Sequence, residues 1–389
     1  MENTKSYPFY FKLASVVIAI IGLVYIAIWA KMVIVPLIIG LLLAIILTPI
    51  ARFFENKLKF PRSVSAITST VLLTLFVLSI MFLLGTQMSH MTEDLPAFKE
   101  QIISALEKLQ DWISEKYDIT NEEQLKYLTD NASQSIGIGT TVIEGTISSL
   151  SSIGMLLIFT FLYTLFILMY RKHIISFLLL CFKDPMKPKV HSAIADTQIM
   201  VKNYLIGILI QMSLITVFFL IAYSIIGLKY IFLLAIMTGI INIIPYIGII
   251  FSMLIAMLIA FATGTPTQVL LVVISVIIIH AIDGNIIMPR IIGSKVKVNS
   301  LAVIIGLVLG EKMWGILGML LTIPVLAMVK IIFDHIQELN AWGYLLGEEE
   351  SIKIKSERRR RRIRVPYVLK KIDFKKDLKI SKPKRKKDS

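Results

Sequence analysis

The chain has 389 residues, is 56% hydrophobic, and has a mean hydropathy of +0.78 with a formal net charge of +15. That hydrophobicity exceeds an ordinary soluble domain's and implies a polytopic membrane protein. The single cysteine, Cys181, excludes an intrachain disulfide and reads as a passive core or interface residue.

The charge is unevenly placed. Residues 351–389 hold 18 Lys and Arg against 4 Asp and Glu, whereas the first 350 residues hold 23 against 22. A near-neutral membrane body therefore carries a basic tail. No apolar run near the start ends in a small-residue cleavage site, so no removable signal peptide is expected.

In chain order, residues 1–89 read as N-terminal transmembrane helices. Residues 13–30 and 32–51 are uncharged and form a tight helical hairpin around Lys31, with Pro36 and Pro49 near the ends of the second run. The loop that follows carries Arg52, Lys57, Lys59 and Arg62 against Glu55, which places it and the N-terminus in the cytoplasm by the positive-inside rule. Residues 63–89 make a third span, long enough to tilt.

Residues 90–144 change character, with 11 acidic residues and 4 lysines. Leu95, Phe98, Ile102, Leu106, Leu109 and Ile113 recur at helical spacing, Pro96 suits a first turn, and Thr120 with Glu123 forms a capping box. This is an extracytoplasmic amphipathic helical insert, packed on the membrane surface or on a neighbouring subunit.

Residues 145–334 read as the transporter core. A fourth span covers 145–170, and the basic stretch with Arg171, Lys172, Lys183, Lys187 and Lys189 returns the chain to the cytoplasm. Val190, Ile194, Thr197, Val201 and Leu205 line one face of a helix that can lie in the interface before a fifth span over 203–228. Residues 230–282 contain no charge over 53 positions, more than twice what one straight crossing needs. Within them, segment 230–262 is interrupted by Asn242, Pro245, Tyr246 and Gly248. Residues 267–288 form a sixth full span. Segment 298–330 is interrupted in turn, with its break at Gly310, Glu311 and Lys312.

Each interrupted segment is either a kinked span or a re-entrant hairpin. Charge favours hairpins: single crossings would put Arg290, Lys295 and Lys297 outside, against the positive-inside rule. The expected fold is an all-α polytopic membrane protein. It has about six full spans plus two re-entrant or broken helical hairpins, equivalently about eight transmembrane segments. Paired interrupted segments point to a transporter's midplane site.

Asp283 is the leading functional candidate, with His280 on the same helix face, because an ionisable residue inside a membrane is a functional hypothesis by default. It either couples a proton or cation to transport, or forms a structural pair with Arg290 or Lys295. Glu311 and Lys312 are a gate or ion site if the second tip reaches the midplane, and an exposed turn otherwise. Asn242, Pro245, Tyr246 and Gly248 would supply free carbonyls and a phenol at the first tip, or simply pack a kink. Gly306 and Gly310 read as close helix packing. His90, His173, His191 and His335 lack metal-ligand spacing, so neither a metal nor a cofactor is expected. No phosphate-binding loop, zinc-protease or serine-hydrolase signature and no potassium-filter signature occurs, which excludes those chemistries and makes an enzyme unexpected.

Residues 335–389 form a basic cytoplasmic tail. Arg358, Arg359, Arg360, Arg361 and Arg362 are candidates for anionic lipid headgroups, against the plainer reading of a solvated topology anchor. No base-stacking pattern supports nucleic acid as a partner.

Three motifs carry a family resemblance: PYIGI at 245–249, H-x-x-D-G-N-x-x-x-P-R-x-x-G from His280 to Gly293, and W-G-x-x-G…I-P from Trp314 to Pro324. They resemble the AI-2E family of permeases, the autoinducer-2 exporter-like transporters. The resemblance implies a multi-pass transporter of the cell (inner) membrane that forms homo-oligomers. It leaves the cargo open between a small solute such as autoinducer-2 and sodium (or lithium) exchanged for protons. On that footing Asn285, within the second motif, joins Asp283, His280, Arg290, Glu311 and Lys312 as ion-coupling candidates. The family often has Glu at the position of Asp283 and proline at that of Ser300, and its pattern does not include the basic tail. The expected function is a secondary transporter using Asp283, with a specific Na⁺(Li⁺)/H⁺ antiporter or a non-transporting membrane scaffold as alternatives.

Overall fold

The computed structural model describes residues 8–93, 100, 104, 154–244, 247–293 and 297–348. The described residues form helices and turns, with no β-strand among them. The insert at 90–144 lies almost wholly outside the described residues, as does the tail beyond Glu348.

Helix α1 (Phe9–Trp29) meets α2 (Lys31–Lys57) at a turn on Ala30, and α3 (Arg62–Glu93) follows. Helix α4 is described over Gly154–Leu180. Gly40 of α2 lies so near α4 that a Cβ there would sit 2.8 Å from Tyr163 Cβ, a small-residue approach typical of packed membrane helices.

Helix α5 (Lys187–Ile226) runs unbroken for 40 residues. The amphipathic segment expected to lie in the interface is thus the first half of the same rod. No glycine or proline interrupts it between Val190 and Leu205, so nothing in the sequence breaks the ladder. At about 60 Å it is twice the thickness of a hydrocarbon core. It stops at Gly227, whose φ of +75° closes the helix in the left-handed region.

Next comes α6 (Ile231–Ile241), then α7 (Ile247–Thr263) and α8 (Pro266–Ile282). Thr265 and Gln268 form a capping box at the start of α8, and the Gln268 amide also donates to the carbonyls of Ile226 and Gly227, both at 3.1 Å. The entry to α6 and the exit from α7 therefore lie at the same end of α5. The segment is a re-entrant hairpin, and α6, at about 16 Å, is too short to cross.

Helix α9 (Ser300–Trp314) and α10 (Ile316–His335) form the second hairpin, followed by the short α11 (Asn340–Leu346). Asn299 caps α9 and its backbone N–H donates to Leu346 O at 2.9 Å, so this hairpin also begins and ends on one side. That side is the Lys187 end of α5, where His335 meets Asp196 at 3.2 Å.

The turn of this hairpin is at Gly315, not at Gly310-Glu311-Lys312 as the sequence predicts. Glu and Lys propagate a helix well, whereas Gly315 takes a φ of +65°. Gly310 is used for packing instead: a Cβ on it would lie 2.6 Å from Gly318 O. The Thr322 hydroxyl sits 2.9 Å from Gly318 O and 3.1 Å from Gly306 O, tying the two helices where their backbones meet. The tip reaches the far face, because the Trp314 indole N–H donates to Ala27 O near the α1–α2 turn at 2.8 Å.

Among the described residues, six helices are long and apolar enough to cross a membrane: Lys31–Lys57, Arg62–Ser89, Gly154–Leu180, Asp184–Ile226, Pro266–Ile291 and Ile316–His335. The largest buried cluster joins α5, α6, α7 and α8 around Phe219, Tyr223, Leu234, Ala260 and Val276, and a second joins α2, α5 and the second hairpin around Val201 and Leu321. Between these clusters lies the candidate site.

Candidate functional site

Three elements deliver the polar groups. The last turn of α8 widens into π turns over Asp283–Ile287 and Pro289–Gly293. Such widened turns recur at functional sites because they free backbone groups and re-aim a side chain. Asp283 opens the first of them and is only 6% exposed.

Helix α5 contributes Gln211, itself 9% exposed, whose Nε2 donates to Asp283 Oδ1 at 2.8 Å and Oδ2 at 3.0 Å. Asn242 at the end of α6 donates from Nδ2 to Oδ2 at 3.1 Å. It gets there because Gly239, one turn earlier, lets α6 press on α5. A Cβ on Gly239 would collide with Thr216 Oγ1 and stand 3.1 Å from Met212 O.

The depth follows from helix geometry. Gln268 touches the end of α5 at Ile226, and Gln211 touches Asp283; each pair of contacts is separated by fifteen residues along its helix. Asp283 is thus about 22 Å from the Gly227 end, inside the Pro266–Ile291 stretch that is long and apolar enough to cross a membrane. The break of the first hairpin comes down to the same level, where Asn242 meets it.

A cavity of about 200 Å³ opens here, lined among others by Tyr204, Gln211, Asn242, His280, Asp283 and Met288. His280 is half-buried, its ring 6.0 Å from that of Phe219, and neither ring nitrogen has a hydrogen-bond partner among the described residues. No Lys or Arg stands within ion-pair distance of Asp283 among them either. What the carboxylate meets is a set of amide donors that hydrogen-bond both of its oxygens.

The other expected residues are placed as follows. Gly248 is buried against the carbonyl of Ile241 and packs the break tightly. Asn285 is exposed, and its amide donates back to Ala281 O at 2.8 Å. Arg290 is exposed on the second π turn. Glu311 and Lys312 pair with each other at 3.1 Å on the exposed face of α9 and line no part of the cavity. Pro245, Tyr246, Lys295 and Arg358 to Arg362 lie outside the described residues. Gln211 and Tyr204 were missed in the sequence. The signal for Gln211 was there: an amide in the middle of an apolar span is expensive unless it has a partner.

The AI-2E family transporter model matches residues 14–338. The chain belongs to the AI-2E transporter family. It is similar to YueF of Bacillus subtilis (strain 168), a candidate transport protein by its name. The identity is 28% over 324 residues, covering 78% of this chain and 84% of YueF. YrrI of the same organism, also a candidate transport protein by name, is 26% identical over 78% of this chain and 87% of its own. The AI-2 transport protein TqsA of Escherichia coli (strain K12) is 26% identical over 79% of this chain and 87% of its own. The AI-2E family and these transport relatives identify the chain as a membrane transporter. Its helices make it a multi-pass one.

Proposed function

We propose that this AI-2E transporter is a secondary transporter working by alternating access, with Asp283 as its coupling or gating carboxylate. One observation carries the reading: a carboxylate at membrane depth, 6% exposed, is met by amide donors and by no cationic side chain among the described residues. In a low dielectric a carboxylate without a cation either recruits one or takes up a proton. The cargo is a small solute or a monovalent cation, exchanged against protons. The lack of a cationic partner among the described residues supports the narrower form, exchange of sodium or lithium for protons.

TqsA, by its name, transports AI-2, and at 26% identity that cargo is a second reading. The amides of Gln211 and Asn242 and the phenol of Tyr204 in the cavity are groups a hydroxylated solute would use.

Orientation follows from charge. Arg52, Lys57, Arg62, Arg171, Lys183 and Lys189 gather at the Lys187 end, so that end faces the cytoplasm of a cell (inner) membrane, with both termini inside. Helix α1 is apolar and exposed along nearly all its length, a surface for lipid or for another copy in a homo-oligomer.

The test is reconstitution in proteoliposomes with an internal pH dye under Na⁺, Li⁺ and K⁺ gradients. Wild type should move protons in response to Na⁺ or Li⁺, and Asp283→Asn should not. A cation-driven flux unchanged by the substitution overturns the role of Asp283. Absence of flux with every cation moves the reading to an organic solute.

A further inference from the structure

A second cavity is separate from Asp283. It is a groove of about 580 Å³ between α2, α4, the first turns of α5 and the end of α10. Its walls are mostly apolar, with Leu41, Ala44, Ile45, Ile175 and Ile194, and its lining includes Arg171 and Lys189.

Arg171 is tied to the end of α2. Its Nη2 donates to both oxygens of Glu55, on the last turn of α2, at 2.7 and 2.6 Å. Ala44 is eleven residues from Glu55 along α2, or about 16 Å, close to half of a hydrocarbon core of about 30 Å. Along α2 the groove therefore spans about the depth of one leaflet, apolar with Arg171 and Lys189 in its lining.

The basic end has charge to spare. Arg171 and Lys187 are matched by Glu55 and Asp184. Lys172, Lys183 and Lys189 are exposed and make no ion pair among the described residues. Nη1 of Arg171, and Nε and Nη2 of Arg62 close by, are buried without a hydrogen-bond partner among those residues. Two guanidiniums thus share one carboxylate at the rim.

We propose that the groove binds one anionic phospholipid of that leaflet, an acyl chain between α2, α4 and α10 and its phosphate on Lys189 and Arg171. Apolar length, leaflet depth and surplus positive charge are the three properties such a lipid matches. The chain's own tail is a poor occupant, because its 18 basic residues would meet a basic rim.

The purified full-length protein would be exposed to equal amounts of phosphatidylglycerol and phosphatidylethanolamine with identical acyl chains, and retained lipid counted by native mass spectrometry. Wild type should keep phosphatidylglycerol in preference. Lys189→Gln should lower its retention about fivefold, the effect of one basic group near an anionic surface. Ala193→Trp, which fills the groove wall, should lower retention of both lipids. Lys31→Gln, a charge-matched change at the exposed α1–α2 turn outside the groove lining, should leave retention as it was. Equal retention of the two lipids by wild type overturns the proposal. So does a preference that survives Lys189→Gln but vanishes when Arg358 to Arg362 are neutralised together. If Ala193→Trp fails to fold, the exposed Lys189→Gln still decides. A change of oligomeric state in Ala193→Trp without loss of lipid would assign the groove to a second copy instead.

Discussion

The Gln211 amide holds both oxygens of Asp283, at 2.8 and 3.0 Å, although 72 residues separate them. The contact joins the longest of the described helices to a widened turn, and Asn242 adds the tip of a re-entrant hairpin to the same carboxylate. Movement of the hairpin therefore changes what Asp283 is bonded to. That is how a conformational change and a binding event can be coupled at one group.

The first prediction tests this coupling. Gln211→Leu removes two hydrogen bonds to a charged group and should lower proton-coupled flux in proteoliposomes about tenfold or more. Combined with Asp283→Asn, it should cost little beyond Asp283→Asn alone, since both act on one interaction. Additive losses in that cycle would mean that Gln211 acts elsewhere.

The second prediction concerns the α9–α10 hairpin. A Cβ on Gly318 would collide with the Gly310 carbonyl, and one on Gly306 would lie 2.7 Å from Leu326 Cδ1. Gly318→Val should destabilise the protein by about 1–3 kcal/mol or more, through forced separation of two backbones. Gly22→Ala in α1 meets nothing within 4 Å and should leave stability unchanged or slightly raised, since alanine favours helix. Thermal unfolding in detergent compares them; equal midpoints for the two variants would contradict the packing.

Much of this fold was legible because apolar runs of 18 to 27 residues map directly onto helices, and charge counting favoured hairpins over kinked spans. The details that failed depend on contacts between distant segments. The Glu311–Lys312 pair looked like a break because charge interrupts an apolar run, yet both residues continue the helix, and the left-handed turn falls on Gly315. The interfacial helix and fifth span are one rod, since amphipathicity fades along α5 without any residue that ends it. At the site, Asp283 and Asn242 stood out as polar groups in apolar sequence. Their meeting depends on Gly239 fitting against Thr216 and Met212, which no local pattern encodes.

The third prediction addresses the tie between the hairpin tip and α1. Trp314→Phe keeps the aromatic body and removes the indole N–H that donates to Ala27 O. The loss should be about 1 kcal/mol of stability, the usual worth of one such bond. A cysteine pair placed at Ala27 and Gly315, in a Cys181→Ser background, should crosslink less readily once Trp314 is Phe. Unchanged crosslinking would show that the tip is held by its apolar contacts alone.

The last prediction follows from both hairpins returning to their own side. Lys229 follows the end of α5, and Lys312 lies near the tip that meets Ala27, so both belong to the Gly227 face. Lys297 precedes α9, whose cap Asn299 bonds Leu346, and so belongs to the Lys187 face. Single cysteines at these three positions in a Cys181→Ser background should therefore fall into two classes with a membrane-impermeant maleimide. In intact cells the positions of Lys229 and Lys312 should label, and that of Lys297 only after permeabilisation, because the basic end faces the cytoplasm. Labelling of the Lys297 position in intact cells, with those of Lys229 and Lys312 only after permeabilisation, would reverse the orientation and leave the hairpins intact. Labelling of Lys229 and Lys297 from the same side would overturn the first hairpin itself, since α8 could return to the Lys229 face only if the segment before it had crossed.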